Sequence, residues 1–504
     1  MHPGLNSAGP GAPASITAAD GAVVTFEELE AASNRLAQLL RARGLGTGSH
    51  VAVMLENSPR FIEVMNAAWR AGIHLTPINW HLGAEEAGYI VEDCDATALI
   101  TSARFADTIE AMAPHLGRVT LRLSIGGGPG GFEDLDAAVA SMASTPIADE
   151  ARGSWMFYSS GTTGRPKGIY KDLDGADPSE LIGFDLMLQH LYGVTSDSVL
   201  LCPAPYYHAA PAGWVTSFQR CGGTVVVMDK FDAEAVLAAI DAHKVTHIMC
   251  VPTHFIRLLK LPDEVRARYD VSSLRTVVHA AAPCPVEVKR SMFDWFGPII
   301  HEYYAGSEGN AFFMIGPEEW LAHPGSVGKN IQGTVHILDE DGMELPVGEA
   351  GQIWFEGGAE FEYHKDPEKT KESFNAHGWS TLGDVGYLDD EGYLYLTDRV
   401  SHMIISGGVN IYPQEIENVL IGHPAVGDVA VIGIPDAEMG ESVLAVVEPA
   451  PGIEPSEELG AELLEFARAQ LAGFKCPRRV DFTDELPRLP TGKLLKRKLR
   501  DAYA

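Results

Sequence analysis

Through roughly its first three hundred residues the chain alternates short β-branched runs with amphipathic stretches of helical period, which narrows the fold to layered α/β. Helical spacing holds from Phe26 to about Arg43 in FEELEAASNRLAQLLRAR, with Gly44 placed to stop it. Val51-Ala-Val-Met54 reads as a strand, and residues 61–71 return to helical spacing. The same exchange recurs at 224–228, Ala233–His243, 247–251 and 276–280. Such a succession predicts parallel sheets with covering helices. At 504 residues the chain exceeds one typical domain. Beyond Gly325 the texture changes: HILDEDGMEL and GYLDDEGYLYL each set an acidic-Gly turn between alternating residues, predicting hairpins of a small antiparallel barrel or sheet. After Asp398-Arg399 come a helix start at Tyr412-Pro-Gln-Glu, strands at 429–434 and 443–448, and a helix at 457–472. The expected division is a large domain, 1–398, and a small α+β domain, 399–504.

Within this frame lies Tyr158-Ser-Ser-Gly-Thr-Thr-Gly-Arg-Pro-Lys-Gly168, preceded by an apolar Trp155-Met-Phe that predicts a buried strand feeding a loop. Glycines can turn backbone N–H groups inward to form a concavity for phosphate oxygens. Ser159, Ser160, Thr162 and Thr163 add hydroxyl donors, and Arg165 and Lys167 add charge. The common P-loop needs Gly-Lys followed by Ser or Thr, whereas Lys167 stands between Pro166 and Gly168. A net charge of −32 argues against nonspecific nucleic-acid binding. A polyanionic substrate must then be held by local cations, and the sequence offers them at Arg165/Lys167, Lys475 to Arg479 and Lys493 to Arg500. The 6 cysteines are scattered without CxxC spacing, which fits free thiols in a reducing cytoplasm. The start carries no secretory pattern, no apolar run approaches the roughly 20 residues of a membrane span, and the last residues form no peroxisomal address.

A second constellation, Tyr303-Tyr-Ala-Gly-Ser-Glu-Gly309, puts an aromatic ring, a hydroxyl and a carboxylate at a strand end. Such a set can stack a purine, bind phosphate and hold Mg²⁺, which prefers carboxylate and phosphate oxygens. Further on stand Trp379-Ser-Thr-Leu-Gly-Asp384, Thr397-Asp-Arg399, Met403-Ile-Ile-Ser-Gly-Gly-Val-Asn-Ile-Tyr-Pro413 and Leu489-Pro-Thr-Gly-Lys493. In this order and at these distances they resemble the adenylate-forming superfamily, which includes acyl-CoA synthetases, peptide-synthetase adenylation domains and luciferases.

The resemblance implies a nucleotide site built from Ser159, Ser160, Gly161, Thr162, Thr163, Gly164 and Lys167, with Ala281, Ala282 and Tyr304 beside the nucleotide. It assigns Ser307 to phosphate, Glu308 to Mg²⁺, and Asp384 with Arg399 to the ribose. It places Gly407 and Gly408 along the pantetheine channel and makes Lys493 the catalytic cation of adenylation. Three positions depart from the family pattern: Ala305 stands for glycine, Leu382 for the threonine before Gly-Asp, and Ser401 for the hinge Lys or Asp. Lys496 to Lys498 are expected on a solvated helix face, with Leu495 and Leu499 inward.

The acid is read from the segment Pro203 to Pro211, where the resemblance makes His208 the gate of the acyl pocket. No acidic residue occurs between Leu200 and Val227 to pair with the ammonium of an amino acid, whose unpaired burial is costly. The other expected walls, 251–255 and 280–282, are apolar or small. The expected substrates are ATP, CoA and an apolar carboxylic acid, foremost a medium- to long-chain fatty acid. Aromatic or steroid-side-chain acids, and a carrier protein as acceptor, stay open, as do a non-catalytic binder and a luciferase-type oxygenase. A homodimer is common in the family, though no residue argues for it.

Overall fold

The computed structural model describes residues 1–159, 166–399, 402–406, 409–436, 439–488 and 494–503, with only the backbone of Arg399 and Asn410. Ser160, Gly161, Thr162, Thr163, Gly164, Gly407, Gly408 and Lys493 lie outside the described residues, as do Arg165 and Ser401.

Local chemistry fixes the helices where periodicity predicts them. The helix Phe26–Ala42 opens on Thr25, whose side chain accepts from the Glu28 N–H while Glu28 answers back to the Thr25 backbone. The helix Ala233–His243 is bounded by an Asp232 cap and by Lys244, whose φ of 49° turns the chain out of the helix.

Two large sheets form the body. In one, six parallel strands run in the spatial order Ile300–Ala305, Thr276–His279, His247–Cys250, Val199–Leu201, Thr224–Val227 and Pro13–Thr17, with antiparallel strands added at both edges. The other has six strands, paired in parallel throughout, built around His50–Met54. Their apolar faces and the covering helices bury a continuous core that includes Phe26, Phe61, Trp214 and Phe218. Buried faces on both sides explain the near-continuous apolar strands.

Past Gly325, Thr334–Leu338, Gly351–Glu356, Asp384–Leu388 and Leu394–Arg399 make the expected antiparallel sheet. The second predicted hairpin forms, with Leu388 opposite Leu394. The first forms only briefly: Leu338 bridges Glu344 antiparallel, the Asp339 N–H donates to the Met343 carbonyl and the Leu345 N–H to the Ile337 carbonyl, while the longer strand partner of Thr334–Leu338 is Gly351–Glu356. The run Trp155 to Tyr158 is not one strand. Ser154–Trp155 joins the six-stranded parallel sheet and Tyr158–Ser159 joins a three-stranded one, so the chain changes sheets within four residues.

Residues after Ile404 form a five-stranded sheet with its own cores. Helices Pro413–Leu420 and Glu457–Arg468 cover one face, and the helix Lys496–Tyr503 covers the other through Leu499. A cross-link to the body runs from the Lys260 ammonium to the Gly427 carbonyl at 2.7 Å. Among the described residues no helix is long and apolar enough to cross a membrane.

Candidate active site

The carboxyl ends of neighbouring parallel strands point the same way, so loops far apart in sequence converge there. His208 lies beyond Val199–Leu201, Val251 to Phe255 beyond His247–Cys250, Ala281 and Ala282 beyond Thr276–His279, and Ser307 and Glu308 beyond Ile300–Ala305. Four segments singled out in the sequence therefore line one edge of one sheet.

Ala281 holds a φ of 75°, a region that L side chains rarely adopt. The strain sits at the turn leaving the Thr276–His279 strand. Beneath it, the buried Glu302 carboxylate lies 2.6 Å from the Lys289 ammonium and 3.4 Å from His279 Nε2. Burial pushes the Glu302 carboxyl up, but Lys289 and His279 outweigh it and hold the group down at about 2.

Tyr304 donates from its hydroxyl to Asp384 Oδ2 at 2.5 Å, so this ring anchors a carboxylate as well as offering a face. Asp384 is 6% exposed and stands directly opposite Arg399 in the register of their two strands. Two residues named for the nucleotide thus meet, and the backbone of a third lies opposite. Leu382 packs against Gly306: a Cβ there would lie 2.5 Å from Leu382 Cδ2 and 2.8 Å from Glu308 Oε2. The leucine therefore fills space that a side chain at 306 would occupy. The hydroxyl that serves this turn is Thr381, which donates to the Ile353 carbonyl and accepts from the Gly383 N–H.

Ser159 and Lys167 are paired across two antiparallel strands, and Glu362–Tyr363 adds a third strand alongside. Tyr363, which no motif had marked, donates to Glu308 Oε1 at 2.9 Å and ties that carboxylate to the Lys167 strand. Its position in a two-residue strand gives no periodicity to detect. Lys167 itself lies 3.5 Å from Asp366. Glu308 is 7% exposed, while Ser307 beside it is exposed. A buried carboxylate held by a phenol suits a hard dication that takes one protein oxygen and fills its remaining positions with phosphate and water. Among the described residues no cluster of three ligating side chains offers a fuller cage. Lys171, four residues past Lys167, was also not marked; burial lowers its ammonium and Glu308 opposes that shift.

Among the other strand-end residues, His208 precedes the helix Ala209–Arg220, its ring centroid 4.4 Å from that of Tyr207. His254 stacks on Phe231 at 4.1 Å, and burial lowers it to about 3.

Two expectations about cations change. Lys496 is 5% exposed and lies 2.8 Å from Glu417, with Asp398 at 4.0 Å, so it leaves the solvated face, on which Arg497 and Lys498 stay exposed as expected. Lys475 is engaged by Glu415 and Arg479 by Asp481, which neutralises much of that basic segment.

The layered sheets, the loops that converge at their carboxyl ends and the separate terminal sheet are those of an adenylate-forming class of protein. The chain matches the family model of AMP-binding enzymes over residues 6–361 and that of the AMP-binding enzyme C-terminal domain over residues 415–493. A feruloyl-CoA synthase from an Amycolatopsis species is 36% identical over 490 residues, spanning 96% of this chain and 94% of the relative. A fatty acid–[acyl-carrier-protein] ligase, ScoC, from Streptomyces coeruleorubidus is 33% identical over 504 residues, spanning 96% and 92%. The ATP-bound crystal structure of MatB from Rhodopseudomonas palustris superposes with a TM-score of 0.83 at 31% identity, covering 100% of this chain and 98% of that one. The chain belongs to the AMP-binding enzyme family and is an AMP-forming acyl-CoA ligase. Its cosubstrates are ATP with Mg²⁺ and CoA.

Proposed function

We propose that the enzyme activates an apolar carboxylic acid, foremost a medium- to long-chain fatty acid, as an acyl-adenylate and passes the acyl group to free CoA. The observation that carries the choice of acid is the wall at the strand ends: Val251, Pro252 and Phe255 are buried apolar groups, and residues 200–227 hold no carboxylate. An ammonium-bearing acid would find no counter-charge there.

In the first step a carboxylate oxygen attacks the α-phosphorus of ATP in line, and pyrophosphate leaves. Positioning and charge neutralisation do most of the work in such a transfer. Ser159, Ser160, Gly161, Thr162, Thr163, Gly164 and Lys167 hold the polyphosphate, and Ser307 the transferring phosphate. Tyr304, Asp384 and Arg399 fix the ribose, with Ala281 and Ala282 along the base. Glu308 holds Mg²⁺, which supplies charge neutralisation at the phosphate oxygens. Lys493 steadies the developing charge. In the second step the CoA thiol attacks the acyl carbon and AMP departs. The division into 1–398 and 399–504 allows the smaller unit to rotate, withdraw Lys493 and bring Gly407 and Gly408 to the thiol arm. His208 gates the acyl pocket.

An aromatic acid is the second reading, favoured by the feruloyl-CoA relative and by the rings of Tyr207, Phe231 and His254 around the expected wall. Mass-spectrometric detection of thioesters from Mg-ATP, CoA and a mixed panel of fatty, aryl, steroid-side-chain and amino acids tests both, with Lys493→Ala alongside. A fatty acyl-CoA that disappears in the variant supports the first reading, and an aryl-CoA the second. Pyrophosphate release without any thioester would move the acceptor to a carrier protein, the acceptor named for ScoC.

A further inference from the structure

Side chains alternate along a strand, so Lys167, Ile169 and Lys171 share one side of the Lys167–Tyr170 segment and its continuation. Ile169 is buried between the two cations. Lys167 is engaged by Asp366 and by the ring of Tyr363. Lys171 is half-buried, and no carboxylate among the described residues comes within ion-pairing distance of it. Its ammonium rests over the turn that carries Glu308: a Cβ on Gly309 would lie 2.8 Å from Lys171 Nζ. Gly309 also has a φ of 75°, so glycine there both makes the turn and leaves room for the ammonium. Tyr363 holds Glu308 from the other side.

A partly desolvated cation beside a lone carboxylate, in a chain of net charge −32, has a natural counter-ion in a polyphosphate. We propose that Lys171 is a fixed cation of the polyphosphate site, balancing Glu308 and the bound triphosphate whether or not a divalent ion is present. The inference rests on the nucleotide site described above. A divalent ion screens the same charges, so the contribution of Lys171 is largest when the metal is withheld.

Calorimetric titration of ATP into wild type, Lys171→Met and Lys171→Arg, in EDTA and in saturating Mg²⁺, reads this directly. Lys171→Met should weaken ATP about tenfold or more in EDTA and about threefold or less in Mg²⁺, while Lys171→Arg stays close to wild type in both. AMP, with fewer charges, should bind wild type and Lys171→Met about equally, which reports an intact fold. An equal loss of ATP affinity in the two media, or no loss in EDTA, overturns the proposal. Failure of the wild type to bind ATP even with Mg²⁺ strikes the nucleotide site itself and is told apart by that result.

Discussion

Replacing Glu302 by glutamine removes one charge from a pair sealed beneath the strand ends. Lys289 is fully buried, its ammonium lies 2.6 Å from the carboxylate, and the ring of Trp320 faces it at 4.6 Å. In the variant the ammonium stays buried without a counter-charge. A carboxyl held at about 2 in place of 4.5 is worth about 3 kcal/mol. Breaking a buried pair from one side typically costs about 3–5 kcal/mol, so the two routes agree. Urea denaturation followed by tryptophan fluorescence at pH 7 should therefore show Glu302→Gln destabilised by about 3 kcal/mol. Lys289→Met combined with Glu302→Gln should recover much of it, because the stranded charge is gone. The sign with pH follows. The carboxyl titrates lower in the folded state, so its stabilisation is present above pH 4.5 and is lost as pH falls through 2. Wild type and Glu302→Gln should converge over that interval. A loss below about 1 kcal/mol, or a double variant as unstable as the sum of the single ones, would refute the reasoning.

Ala281→Gly should keep or raise stability by up to about 1 kcal/mol, since glycine accepts a φ of 75° without strain, while Ala281→Val should lose about 1–3 kcal/mol in the same denaturation assay. Gly306→Ala should cost about 1–3 kcal/mol by overpacking against Leu382, and Leu382→Ala in the same chain should relieve part of it, giving a measurable coupling in a double-mutant cycle. His254 is neutral in the fold, lowered to about 3 from 6.5, so its stabilisation is present above pH 6.5 and is lost as pH falls toward 3. Between pH 6.5 and 4.5 this amounts to at most about 3 kcal/mol. His254→Phe, which keeps a ring against Phe231, should flatten that part of the stability–pH curve.

Elements with strong local signals were readable in the sequence. The helix Ala233–His243 matches its expectation at both ends because Asp232 and Lys244 close it chemically. The convergence of His208, Ala281 and Glu308 was implied by strands that share a direction. What escaped was set by distant neighbours. Apolar Trp155 to Tyr158 cannot reveal that its two ends pair with different sheets. Lys496 looks solvated by composition, yet its partner Glu417 is far away in sequence. Tyr363 reaches Glu308 through the pairing of Glu362–Tyr363 with Lys167–Tyr170, and Lys171 comes beside the Gly309 turn by a fold contact no local pattern announces.

The burial of Lys496 makes the terminal helix a reporter. Amine-reactive reagents need an accessible nitrogen, and the Lys496 ammonium is buried against Glu417 at 2.8 Å. Lys498, two residues on, is exposed on the same helix. The ratio of labelling at these neighbours, read by mass spectrometry on the intact enzyme, measures how often the helix Lys496–Tyr503 lifts from its sheet. A ligand that loosens or tightens this end of the chain would register as a change in that ratio, without any substitution in the protein.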